Sequence, residues 1–122
     1  YLSVAPDMPL GKLVNVLSRS QTVFIPVLDN GGRLLGSVDI TKIRHIVFRT
    51  ELYTKFTVSQ LMVSLPAVLY TNEPMEEVMK KFEKCNAEYL PIVDINNKLT
   101  GFISRTRMYA MYRKMVADLS AE

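Results

Sequence analysis

Phe24-Ile25-Pro26-Val27-Leu28-Asp29 and, 65 residues later, Tyr89-Leu90-Pro91-Ile92-Val93-Asp94 are two versions of one hexapeptide. Sliding the sequence on itself by that interval also puts Pro9 on Pro74, Leu34 on Leu99, Gly36 on Gly101 and Thr41 on Thr106, with no gap anywhere. Apolar positions match between the identities: Phe24 with Tyr89, Val27 with Ile92, Val38 with Ile103, Ile43 with Met108. Such a fixed register is the mark of an internal duplication. Each hexapeptide is nearly all apolar, which suits a short strand buried on both faces. Its proline predicts that the N–H side there faces no ladder partner, as at an edge or a strand start.

Outward from these strands, both copies read alike. Leu10, Leu13, Val14 and Leu17 recur at helical spacing, as do Met75, Val78, Met79 and Phe82, so each set lies on one helix face. Asp7 and Asn72 are positioned to cap those helices, with Pro9 and Pro74 in the first turn. Asp29-Asn30-Gly31-Gly32 and Asp94-Ile95-Asn96-Asn97 carry residues that tolerate positive φ, which predicts hairpin turns leading to return strands at 34–38 and 99–103. Closing helices are predicted over 40–49 and 105–118. Each copy is therefore strand, helix, strand, strand, helix, an α/β (α+β) unit too small to be stable alone. The predicted organisation is a first repeat at 1–50, a linker at 51–65 with a short capped helical turn near 57–62, and a second repeat at 66–122.

Composition excludes several classes. Cys85 is the only cysteine, so no intramolecular disulfide forms and a reducing compartment fits. No apolar run reaches the roughly 18 to 20 residues needed to span a bilayer. The opening residues lack a signal-peptide pattern, and a first residue other than Met is expected of a chain cut from something longer. The net charge of +3 is spread without any block of like charge, which argues against a nucleic-acid partner. His45 is the only histidine and is predicted mid-helix, so no metal site is expected. Glu76 and Glu77 are adjacent and diverge on a helix, so they form no catalytic dyad. No catalytic residue, and no enzymatic activity, is expected of this chain.

The strands FIPVLD (24–29) and YLPIVD (89–94), each followed by a turn and a Gly-led stretch, GSVDITK (36–42) and GFISRTR (101–107), resemble the tandem CBS (cystathionine-beta-synthase-type) pair, or Bateman module. The resemblance implies two repeats related by pseudo-twofold symmetry, a regulatory role, a homodimer, and in many members a cleft that binds an adenine nucleotide (ATP, ADP or AMP). The run YTKFTVSQLM (53–62), the helix at 75–82 and GFIS (101–104) are similar to the cytoplasmic tail of prokaryotic chloride-channel-family proteins. That likeness implies a chloride channel or chloride/proton antiporter as parent, its transmembrane domain as partner, and a place on the cytoplasmic face of the cell membrane. The alternatives are an adenine-nucleotide sensor of a soluble enzyme and a ligand-free dimerisation module.

Nucleotide-binding members hold the ribose with an Asp three residues after a Ser or Thr. Here Asp39 replaces the hydroxyl residue and Lys42 the Asp in the first copy; the second keeps Ser104 but has Arg107 for the Asp. A cation accepts no hydrogen bond from a ribose hydroxyl. Lys42 and Arg107, each near a helix start, are instead candidates for a phosphate, against a solvated charge as the plainer reading. Phe24 and Tyr89, beside Pro26 and Pro91, are candidates to flank a base, as are Val4 and Tyr70 at the ends of the first strands; core packing is the competing account of the aromatics. Arg105, Arg113 and Lys114 are expected to face solvent or the parent protein. Ile43, Ile46 and Val47, with Met108, Met111 and Met115, give the closing helices apolar stripes that partly cover their own sheets and otherwise resemble a dimer surface.

Overall fold

The two hexapeptides each open a hairpin. Strand β1 (Phe24–Leu28) pairs antiparallel with β2 (Leu34–Asp39), and β4 (Tyr89–Val93) with β5 (Leu99–Ser104). The computed structural model describes residues 2–120 and divides into two units, Tyr1–Leu65 and Pro66–Glu122. The turns share the same bonds from backbone N–H groups to the leading aspartate. Asp29 Oδ1 accepts the N–H of Gly31 and Arg33, both at 2.9 Å; Asp94 Oδ1 accepts those of Asn96 at 2.8 Å and Lys98 at 2.9 Å. Positive φ falls at Gly32 (80°) and Asn97 (64°), the left-handed turn positions that glycine and asparagine tolerate. A bulge follows at Val27/Leu28 and again at Ile92/Val93.

Only the second strand proline lies in an interior strand. In the second unit β4 lies between β5 and the short parallel strand β3 (Leu69–Tyr70). In the first, the predicted opening strand is reduced to one parallel bridge, Val4 to Val27, with the Val4 N–H on Pro26 O at 3.0 Å and the Leu28 N–H on Val4 O at 2.9 Å. Backbone direction alternates along a strand, so position 26 points its nitrogen to the flank Leu28 uses, ahead of that single bridge. The missing N–H falls where the neighbouring strand has not begun.

Helix α1 (Leu10–Leu17) and α4 (Met75–Cys85) follow the predicted apolar spacing, burying Leu10, Leu13, Val78 and Phe82. Their caps are Pro9 and Pro74, which correct Asp7 and Asn72. In the first unit the free amides are met from the linker: Leu10 N–H donates to Phe56 O at 2.9 Å and Gly11 N–H to Tyr53 O at 3.2 Å. The linker also folds a 3₁₀ turn at Thr50–Leu52 and the short helix α3 (Val58–Leu61). Gln60 Oε1 accepts the Thr57 N–H there at 2.9 Å, half of a capping box. Past α3, Val63 bridges antiparallel to Ser37 on the outer edge of β2.

The closing helices depart most from the sequence reading. Helix α2 is Ile40–Ile43, and 44–48 continue as turns with i→i+3 bonds, Ile46 N–H to Ile43 O and Arg49 N–H to Ile46 O. Branched residues at 43, 46 and 47 crowd a helix at χ1, and the Val47 carbonyl is taken by the Tyr53 hydroxyl at 2.6 Å. Helix α5 runs Arg105–Ser120. Each unit has its own core: Val4, Leu10, Leu13, Ile25, Val27, Val38, Ile43, Ile46 and Val58 in the first, and Leu69, Val78, Phe82, Leu90 and Met108 in the second.

Candidate functional site

In the second unit the hairpin register sets Tyr89 opposite Ser104, at the point where β5 passes into α5. The Arg105 N–H donates to Glu88 O at 2.8 Å, and Ser104 Oγ accepts the Arg107 N–H at 3.1 Å. Two amides of the α5 first turn are thus already satisfied, which weakens the amide contribution to an anion site. The Arg107 side chain is exposed, and it is the cation this edge offers. Tyr89 is 52% exposed, which disfavours the competing core-packing account: its ring starts the strand at the rim, before the buried run Leu90-Pro91.

Tyr70 does not join this group. It pairs with Val93, four residues along β4 from Tyr89, roughly 13 Å at strand rise. There Lys81 Nζ lies 4.8 Å from its ring centroid, a cation–π contact. Lys81 also bonds Glu73 at 2.7 Å and Val68 O at 2.8 Å, while Glu73 Oε1 accepts the Tyr70 N–H at 3.0 Å. An open depression of about 480 Å³ beside Tyr70 is bordered by Glu73 and Glu77, charges that disfavour a phosphate there.

In the first unit Phe24 pairs with Asp39 and is half-buried. Asp39 Oδ1 accepts the Thr41 N–H at 3.0 Å and the Thr41 hydroxyl at 2.7 Å. That carboxylate oxygen is engaged in capping α2. Lys42 extends from this four-residue helix as an exposed side chain. Val4, Pro26 and Pro91 have buried side chains, so what they can offer a ligand is confined to backbone.

The dimer set divides. Ile43, Ile46 and Met108 lie in the cores of their own units, and Val47 is half-buried against the first; the three buried residues are corrected out of any exposed interface. Met111 and Met115 remain on the surface of α5 with Val116 and Leu119. A groove of about 120 Å³ between α4 and α5 is lined by Met75, Met79, Tyr112, Met115, Val116 and Leu119, with the Glu76 side chain as its one charged group.

Arg105 is the polar residue the sequence reading misplaced. Its guanidinium is partly buried, donating from Nε to Ala87 O at 3.0 Å and from Nη2 to Phe82 O at 2.7 Å, and sits 5.6 Å from the Phe82 ring centroid. It closes the C-terminal end of α4, adding a cationic donor to Phe82 O, which also accepts the Asn86 N–H at 3.3 Å, at the negative end of the helix dipole. The one signal for this was its counterpart Ile40, which marks the position as half-interior. His45 is exposed in the 44–48 turn rather than set among apolar neighbours in a helix. Cys85 donates its thiol to Lys81 O at 2.9 Å. Among the described residues no group of three or more His, Cys, Asp or Glu could hold a metal ion, and no helix is long and apolar enough to cross a membrane.

The family model described as the CBS domain matches residues 1–49 and 58–112. Inosine-5'-monophosphate dehydrogenase of Methanocaldococcus jannaschii is 27% identical over 103 residues, which are 84% of this chain and 20% of that protein. The chain spans about a fifth of the length of the curated relatives it matches. Among solved structures, CBSX2 in complex with AMP superposes with a TM-score of 0.71 at 20% identity, covering 93% of this chain and 87% of that one. The cytosolic domain of the Mg2+ channel MgtE in complex with ATP gives 0.71 at 22% identity, covering 91% and 44%. At such identities the likeness establishes the fold.

Proposed function

Because this chain belongs to the CBS domain family, as a tandem pair, we propose that it is the regulatory module of a membrane transport protein, of the chloride channel or chloride/proton antiporter type. In this reading it lies on the cytoplasmic side, is non-catalytic, and acts as a homodimer that sets how two transport subunits sit against each other. The observation that carries the proposal is the uncovered apolar face of α5: Met111, Met115, Val116 and Leu119 are all exposed beside an apolar groove. Methionine-rich faces suit adaptable contacts. The run at 53–62 supports the transporter parent, as does the shared fold of a channel's cytosolic domain. A ligand shifts such an arrangement only by binding its two states differently.

Sedimentation velocity tests the dimer. The chain is expected to self-associate, and Met111→Glu with Met115→Glu to raise the dissociation constant at least about a hundredfold, each buried charge costing a few kcal/mol. A wild-type monomer at high concentration would defeat the proposal. A second reading, an adenine-nucleotide sensor attached to a soluble enzyme, is favoured by the likeness to the dehydrogenase and to CBSX2 with AMP. With Lys42 and Arg107 where a ribose carboxylate is usual, a nucleotide would be held chiefly by its phosphates. Calorimetry giving no heat with AMP, ADP or ATP removes that reading. The residues encoded ahead of Tyr1 separate the parents: membrane-spanning helices on the first reading, a catalytic domain on the second.

A further inference from the structure

Phe48 is 87% exposed, and its surroundings are unusual for a stray apolar side chain. In the 42–49 turn segment, which takes in the end of α2 and the turns after it, Ile43 and Ile46 are buried in the first unit's core and Val47 is half-buried, while Lys42, Arg44, His45, Phe48 and Arg49 are exposed. Every exposed residue of the turn is thus a cation, an imidazole or the phenyl ring. No acidic residue lies between Asp39 and Glu51. Asp39 is occupied with Thr41, and Glu51 meets Arg49 Nε at 2.9 Å in an exposed pair of the kind that contributes little. The turn is held in shape from beneath: Ile46 and Arg49 donate N–H bonds to Ile43 O and Ile46 O at 3.0 and 3.1 Å, and the Tyr53 hydroxyl grips Val47 O. The counterpart of Phe48 in the second copy is Arg113, so the exposed ring answers no need common to the two repeats.

We propose that the 42–49 turn docks the first unit onto an anionic phospholipid surface, Phe48 entering the headgroup boundary while Lys42, Arg44 and Arg49 meet lipid phosphates. A second copy is a poor occupant, because an isologous interface would set these cations against themselves. A folded acidic protein is also disfavoured: its hot spots are buried in well-packed pockets, whereas Phe48 protrudes, 87% exposed, and lines neither of the two grooves described above. A protruding ring flanked by Lys and Arg is instead the composition of interfacial anchors. Each basic residue near an anionic surface strengthens binding about fivefold, and the effect is screened by salt. Three cations and one ring make a weak anchor that matters when the chain is tethered or dimeric.

Flotation of the 122-residue chain with phosphatidylglycerol/phosphatidylcholine vesicles, against phosphatidylcholine alone, tests this. Binding is expected to be at least about tenfold stronger to the anionic vesicles and to fall as salt rises. Lys42→Gln with Arg44→Gln is expected to weaken it about twentyfold, and Phe48→Ser about tenfold at unchanged charge. Lys80→Gln, on the exposed side of α4 in the other unit, should change it less than twofold. All are surface substitutions, so circular dichroism should be unaltered. Equal binding to neutral vesicles, no vesicle binding at all, or anionic binding indifferent to the 42, 44 and 48 substitutions would overturn the proposal. So would loss of self-association in Phe48→Ser, which would assign the ring to contact with a second copy.

Discussion

The two units spend the same hexapeptide differently, and the difference lies in what surrounds the hairpin. In the first, the linker returns over the hairpin: the Val63 carbonyl comes within 2.7 Å of where a Cβ on Gly36 would sit. In the second, Gly101 at the matching position has nothing within 4 Å. The first unit anchors the start of its helix α1 through linker carbonyls; the second instead fixes the end of α4 through Arg105 and its flank through the Lys81–Glu73 pair. Sequence duplication preserved the turn and the register, while each copy acquired its own means of covering exposed backbone.

The largest expected contrast is in the cores. Phe82 is fully buried beneath the Arg105 guanidinium, while its counterpart Leu17 is only partly buried. Chemical denaturation should show Phe82→Ala costing about 4 kcal/mol and Leu17→Ala about 2 kcal/mol, since the cost follows the cavity left. Equal losses would mean the two helices are packed alike. The matched glycines give a sharper test of the linker. Gly36→Ala drives a methyl into a backbone carbonyl, which cannot rotate away, and should cost about 2 kcal/mol. Gly101→Ala should lie within about 0.5 kcal/mol of wild type, as an unobstructed surface change does. A harmless Gly36→Ala would show that the Val63 bridge is loose in solution.

What was legible follows from what is local. The turns at 29–32 and 94–97 could be read because an Asp and a residue fit for positive φ dictate them within five positions, and the helix faces because their apolar spacing is periodic. The family resemblance rested on these same stretches. Caps were misplaced because Pro9 ends its own helix and the amides beyond are satisfied by residues more than forty positions away. The length of α2 was missed for the same reason, since Tyr53 and the first core decide where it stops. In the candidate site, Lys42 and Arg107 could be placed near helix starts by spacing, but Tyr70 and Tyr89 looked equivalent in sequence. Only the register, Tyr70 with Val93 and Tyr89 with Ser104, shows that they stand at opposite ends of one strand.

The smallest expected effect concerns the turn carboxylate of the first copy. The Arg33 backbone N–H, then its guanidinium at 3.0 Å, hold the Asp29 pKa below the usual carboxylate value against desolvation, with the Gly31 N–H adding less. Its counterpart turn has Lys98 in place of Arg33, and the fixed planar Nε–H that Arg33 gives Asp29 Oδ2 is not reproduced by a flexible ammonium. A folded pKa below the unfolded value of about 3.9 means the unfolded chain binds the proton more readily. The stabilisation is therefore present above that unfolded value and is lost as pH falls through the lower folded one. Titration of the carboxyl carbon by NMR should place Asp29 below a free carboxyl, and Arg33→Lys should move it upward while leaving the two backbone donors in place. An Asp29 that titrates unchanged in Arg33→Lys would show that the amides alone hold the proton off, and that the two turns differ in residue but not in electrostatics.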